Sequence, residues 1–138
     1  MNYLLDTNAC IALMRGNPPA VRARMERESV DGSRLHLPAI AVFELWYGAA
    51  KSAHKEANAR RLALLLDTLL SVVPFDEGDA RAAGQVRAAL EQSGRPIGPY
   101  DILIAGQALA RDLILVTANH REFDRIKGLR WEDWARPL

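Results

Sequence analysis

Three acidic side chains stand where acids are not expected. Asp6, Glu44 and Asp101 are the only charged residues in three apolar windows, residues 1–14, 38–50 and 97–110, and no Lys or Arg falls in any of them. Moving an isolated carboxylate out of water costs several kcal/mol or forces it to take up a proton, so such groups are rarely buried without a partner. If the fold brings the three together, one divalent cation neutralises them at once. All-oxygen ligands select a hard ion, Mg²⁺ or Mn²⁺. Zinc does not suit a chain with one Cys and three scattered His.

Each acid also has a structural reading. Asp6 or Asn8 suits the N-cap of a following helix, and Glu44 could pair with an Arg from elsewhere in the fold. Asp76, Glu77 and Asp79 form a denser acidic group, but they precede a helical pattern at residues 80–93. There, solvated acids are favoured by the helix dipole, and we assign them no metal. Cys10 has no His near it in sequence and reads as a small core residue. A single cysteine also rules out an internal disulfide and points to a reducing compartment.

Elements of α/β type must position the acids. Tyr3-Leu4-Leu5 is a short strand, and Asp6-Thr7-Asn8 hands it over to a helix that Gly16 and Pro18-Pro19 stop. A surface helix follows at residues 20–28, then a strand at Leu35-His36-Leu37. Pro38 opens a helix in which Ile40, Phe43, Glu44, Tyr47 and Gly48 share one face, so that Glu44 points with apolar neighbours. Residues 56–71 form a longer helix with a core stripe of Leu62, Leu65, Leu66 and Leu69, and Val72-Val73 a short strand near an edge. After the loop at residues 94–99, Asp101 begins the buried face of a helix with Ile104, Ala105, Ala108 and Leu109. Leu113 to Thr117 is the strongest strand, continuous enough to be central and parallel, and it runs into Thr117-Ala118-Asn119. Leu129-Arg130-Trp131 adds a last strand, and Trp134 packs as a structural lid.

Strands alternating with helices imply a three-layer α/β/α domain with a mostly parallel central sheet and right-handed crossovers. A chain of 138 residues is long enough to bury its own core, and residues 1–138 are expected to form a single domain. No apolar run reaches membrane-spanning length and the N-terminus lacks a basic leader, which predicts a cytoplasmic protein. The formal charge of +1 gives no global basic field; a nucleic acid ligand would have to be met by local cations and metal.

In their order and spacing, Leu4-Leu5-Asp6-Thr7-Asn8, Glu44-Leu45 with Gly48, Asp101 to Ala105, and Val116 to Asn119 with Phe123 resemble a PIN domain. Within that family they resemble the toxin ribonucleases of bacterial toxin-antitoxin pairs, usually called VapC. The resemblance extends through Trp131 to Trp134 and covers nearly the whole chain. It implies that Asp6, Glu44 and Asp101 bind the metal and that Thr117 and Asn119 complete the pocket. Many relatives place a fourth acid near Asn119; here that position is an amide, and Asp124, one helical turn on, ranks lower. A cognate antitoxin that blocks the pocket and a homodimer are implied as well.

The expected chemistry is hydrolysis of phosphodiester bonds in single-stranded or loop RNA, with Mg²⁺ or Mn²⁺ activating water and stabilising the leaving oxygen. Arg15, Arg95 and Arg121 lie beside the motif segments and are the candidate phosphate contacts. Two rivals remain. One is a phosphatase or phospho-acceptor domain using Asp6 as nucleophile, against which stands the lack of a second acid two residues on. The other is a non-catalytic module whose acidic pocket receives basic side chains from a partner.

Overall fold

Tyr3, Leu4 and Leu5 are 1%, 0% and 0% exposed, which makes the first strand the axis of the molecule. The computed structural model describes residues 1–68 and 71–136. Its elements run β1 (Asn2–Leu5), α1 (Thr7–Arg15), α2 (Pro19–Val30), β2 (Arg34–Pro38), α3 (Ala39–Lys51), α4 (Lys55–Asp67) and β3 (Ser71–Val73). They continue with α5 (Glu77–Gln92), α6 (Pro99–Ala110), β4 (Ile114–Val116), α7 (His120–Phe123) and β5 (Trp131–Glu132). The strands form one sheet in the order β3-β2-β1-β4-β5, every pair parallel, so the expected mostly parallel sheet is wholly parallel.

That order decides where a site can form. The chain moves outward from β1 to β2 and β3, then crosses to β4 and β5 on the other side. The strand order therefore reverses between β1 and β4, and in an open α/β sheet the ligand crevice lies outside the carboxyl ends of such a pair. Leu5 is in register with Val116, so the next residues, Asp6 and Thr117, emerge side by side into that crevice.

The structure differs from the sequence expectation in four instructive places. The buried stripe of α3 is Ala41, Leu45 and Ala49, while Phe43 and Tyr47 are 54% and 58% exposed. A helix apolar almost all round has no periodic signal to choose its face; small residues let this one approach its neighbours, and the aromatics turn outward. Glu44 thus sits at the border of the buried stripe, not within an apolar face.

The acids before α5 are not simply solvated. Asp76 and Asp79 form a reciprocal capping box, and Asp79 is 1% exposed. Its carboxylate accepts from Gln107 at 3.0 Å and from Arg111 Nε at 3.1 Å. Trp134, expected as a lid, is a core residue at 2% exposure, edge-on to Tyr3 at 5.0 Å. Helix α4 ends at Asp67, with Leu62 buried and Leu65 and Leu66 half-buried beside the core; Leu69 lies outside the described residues.

Helices α5 and α6 pack face to face through Gly106, where an added Cβ would stand 2.5 Å from both the Cα and N of Ala83. These are backbone atoms, which cannot swing aside. Gly106→Ala gains about 1 kcal/mol of helix propensity but must force the helices apart, an overpacking cost of about 1–3 kcal/mol or more. We predict net destabilisation, read as a lower urea midpoint with an unchanged slope; an unchanged or higher midpoint would show that this contact yields easily.

Candidate active site

Asp6 is held by backbone before any ligand arrives. Its N–H donates to the Val116 carbonyl at 3.1 Å, tying the end of β1 to the end of β4, and its Oδ1 accepts the Ala9 N–H at 2.8 Å as the N-cap of α1. The cap reading of Asp6 is therefore correct, and it coexists with a place at the crevice. Thr117, 1% exposed, brings its hydroxyl within hydrogen-bonding reach of the Asp6 carboxylate, while its Oγ1 accepts the Asn119 N–H at 2.9 Å.

Glu44 reaches the same edge from α3, where its Oε1 accepts the Thr7 hydroxyl at 2.7 Å. Asp101 enters on the first turn of α6, behind Pro99. A carboxylate is favoured there by the unpaired N–H groups of the helix start. Among the described residues, the ion pairs found involve none of Asp6, Glu44 or Asp101. The Arg partner that a purely structural Glu44 would require is not among them.

The acids feel one another's charge. Burial pushes the Asp6 carboxyl up from its ordinary value, the Thr117 and Ala9 hydrogen bonds pull it down, and the charges of Glu44 and Asp133 raise it again. Asp101 is pushed up to about 7, first by burial, then by a hydrogen bond with Glu122 and by the charges of Glu122, Asp6 and Glu44. Burial first, and then the nearby negative charges, favour the protonated form of Asp101.

Glu122 is the residue that sequence reasoning missed. It lies on α7, three residues after Asn119, on the turn anchored by Phe123 at 0% exposure, and its Oε2 is buried without a partner. It brings a carboxylate beside Asp101, where Asn119 offers only an amide. Asp124, the lower-ranked candidate, is exposed. Asn119 is half-buried and precedes α7 without capping it through its side chain. Asp133, on the segment after β5, is a second acid felt at Asp6. Of the candidate cations, Arg15, Arg95 and Arg121 are all exposed, and Arg15 borders cavities on both sides of α1.

The donor set fits a hard divalent cation. It is all oxygen, it carries an orphaned buried carboxylate oxygen at Glu122, and it holds a proton on Asp101 that a cation would displace. Among the described residues the side chains do not close into a ready-made group of three ligands.

The chain matches the model of the PIN domain over residues 3–129. It is 42% identical over 135 residues to the tRNA(fMet)-specific endonuclease VapC of Salmonella typhimurium strain LT2, covering 98% of this chain and 99% of that one. To the protein of the same description in Shigella flexneri it is 40% identical, with the same coverage. Among solved structures, VapBC2 from Rickettsia felis bound to a DNA fragment from their promoter superposes with a TM-score of 0.91 at 35% identity. That match covers 97% of this chain and 99% of that one.

The Asp101 proton has a consequence for stability. Its folded value of about 7 lies above the ordinary 3.8. Folding therefore binds a proton between those limits: the contribution is fully present below about pH 4 and is lost as pH rises through about 7. Without divalent metal, stability from this group should fall between pH 4 and 7, and Asp101→Asn should remove that slope. Glu122→Gln should lower the Asp101 titration seen by carboxyl carbon NMR; an unmoved titration would show that the two side chains do not share a proton.

Proposed function

The chain belongs to the PIN-domain family and to its VapC ribonucleases, and from that premise we propose a metal-dependent endoribonuclease, the toxin of a toxin-antitoxin pair. Asp6, Glu44 and Asp101, with Glu122, would hold Mg²⁺ or Mn²⁺. The observation that carries this reading is the group of acids at the β1/β4 switch point without ion-pair partners among the described residues, where burial first and then the neighbouring charges push Asp101 up to about 7. The same carboxylates would otherwise repel an RNA phosphate, so a cation is needed before substrate can approach.

Each side chain has a share of the work. Asp6 is oriented by the Ala9 N–H and the Thr117 hydroxyl, which use up part of its acceptor capacity and fix the direction of the rest. Thr7 does the same for Glu44. Thr117 and Asn119 shape the floor of the pocket through the turn that their hydrogen bond closes. When bound, the cation lowers the pKa of water and stabilises charge developing on phosphodiester oxygens. Arg15, Arg95 and Arg121, exposed around the edge, would meet flanking phosphates.

A phospho-acceptor role for Asp6 fits poorly, since the side chain is 3% exposed and serves as a helix cap. The RNA target is proposed to be tRNA(fMet), after the description of the two Vap relatives. An antitoxin would cover the acids, and a basic side chain from it could stand in for the cation's charge. We also propose a cytoplasmic homodimer; no described helix is long and apolar enough to cross a membrane, and the exposed Phe43, Trp46 and Tyr47 of α3 offer an apolar face for a second copy.

Purified protein should cut tRNA(fMet) in Mg²⁺ or Mn²⁺ and stop in EDTA. Asp6→Asn, Glu44→Gln and Asp101→Asn should each lower kcat by on the order of 10²-fold or more while keeping the native circular dichroism. Glu122→Gln should weaken metal affinity by about 10–100-fold. Undiminished cutting in EDTA, or by Asp101→Asn, would overturn the reading.

A further inference from the structure

Beside the acids, on the side of α1 away from Glu44, the fold leaves a cavity of about 230 Å³ that no described side chain fills. It is smaller than a drug-sized site, and opens between α1, the start of α2 and the segments that follow β4 and β5. Its connection to the site is direct. Ala9, which lines the cavity, donates the N–H that orients Asp6, and Val116, which also lines it, accepts the Asp6 N–H.

The lining is of two kinds. Ile11, Val21 and Trp134 give apolar walls. The Trp134 wall is fixed in advance: Tyr3 meets it edge-on at 5.0 Å, Arg24 lies 5.4 Å over its ring, and its Nε1–H donates to Glu132 at 3.0 Å. Around this apolar interior stand the exposed side chains of Asn8, Arg15 and Asn17, and the Asp133 carboxylate. A free phosphate would be repelled by Asp133 and the acids next door. A purely aliphatic group would leave the amides unused. A flat, largely apolar group with hydrogen-bonding edges suits both parts, and single-stranded RNA supplies one at each residue once its bases are unstacked.

We propose that this cavity is a nucleobase pocket that takes one unpaired base flanking the cleaved bond and so helps set where the RNA is cut. The proposal rests on the ribonuclease reading above and deepens it by naming a specificity site. In it, Asn8 and Asn17 read the base edge, Arg15 steadies the adjoining phosphate at the rim, and the fixed walls hold the base while its backbone lies across the acids.

The test uses oligoribonucleotides that carry one abasic residue, scanned through the positions on both sides of the cleaved bond. Wild type should show one position at which loss of the base raises KM about tenfold with kcat little changed. Ala118→Trp places an indole at the cavity from an exposed position outside any helix or strand. It should raise KM on the intact strand to the abasic value and abolish the difference. Asn17→Ala, also an exposed change, should reduce the difference, and equal melting temperatures would confirm that both variants fold. Base dependence identical in wild type and Ala118→Trp, or no sensitive position at all, would overturn the pocket. So would unchanged RNA discrimination accompanied by lost antitoxin inhibition, which would give the cavity to the inhibitor. Fluorescence anisotropy of the same strands on Asp101→Asn protein separates the two readings. Base-dependent binding without any cutting by wild type would sink the nuclease and leave the pocket standing.

Discussion

Negative charge without a counter-charge is the constraint on which the rest of this structure depends. Asp101 feels the charges of Glu122, Asp6 and Glu44, and burial first, then those neighbours, push its carboxyl up to about 7. Such an arrangement costs folding free energy, so the surrounding structure has to impose it. The parallel register of β1 and β4 sets Asp6 beside Thr117, and the Asp6 N–H bond to Val116 locks the pair. The start of α6 offers Asp101 a favourable end of a helix dipole, and Phe123, fully buried, pins the short turn that carries Glu122.

The architecture was legible in the sequence because its strands are short, apolar and regularly interrupted. Tyr3-Leu4-Leu5 and Leu113 to Val116 could not be much else, and both proved central. Asp6, Glu44 and Asp101 were visible for a related reason: an acid alone in an apolar window needs an explanation. Glu122 escaped that filter because it sits in Arg121-Glu122-Phe123-Asp124-Arg125, where neighbouring charges make it look like part of a solvated face. The signal that could have found it is Phe123, the only large apolar residue of that run, which had to be buried and so fixed which side of the turn its neighbours took.

The orientation of α3 was hidden for the opposite reason. Apolar residues surround almost its whole circumference, so helical spacing could not choose between a face of Ala41, Leu45 and Ala49 and one of Phe43 and Tyr47. Packing chose, favouring small side chains where the helix approaches its neighbours and leaving the aromatics outside. Glu44 ends up half-buried at the boundary, where the Thr7 hydroxyl donates to it at 2.7 Å. The expectation that it shared a buried apolar face with Phe43 and Tyr47 is corrected by the exposure of both aromatics.

Asp79 shows that the acids of the site are left unpaired by arrangement and not for want of cations. It is as buried as Asp6, at 1% against 3% exposure, and burial alone would push its carboxyl up. Yet hydrogen bonds from Arg111, the Asp76 N–H and Gln107 overcome that burial, and the Arg111 charge adds to them, so that Asp79 lies below the usual range. The fold treats Glu28 in the same way, through Arg24, Tyr3 and Ser33. Where a carboxylate serves the scaffold it receives a guanidinium, and Arg111 and Arg24 are spent on those two. At the β1/β4 edge the donors found among the described residues are neutral, the Ala9 N–H and the hydroxyls of Thr7 and Thr117, which aim the oxygens without cancelling their charge. Two buried acids in one small protein, one neutralised and one kept in deficit, mark the difference between a carboxylate tied into an ion pair and one whose charge is left without a counter-charge.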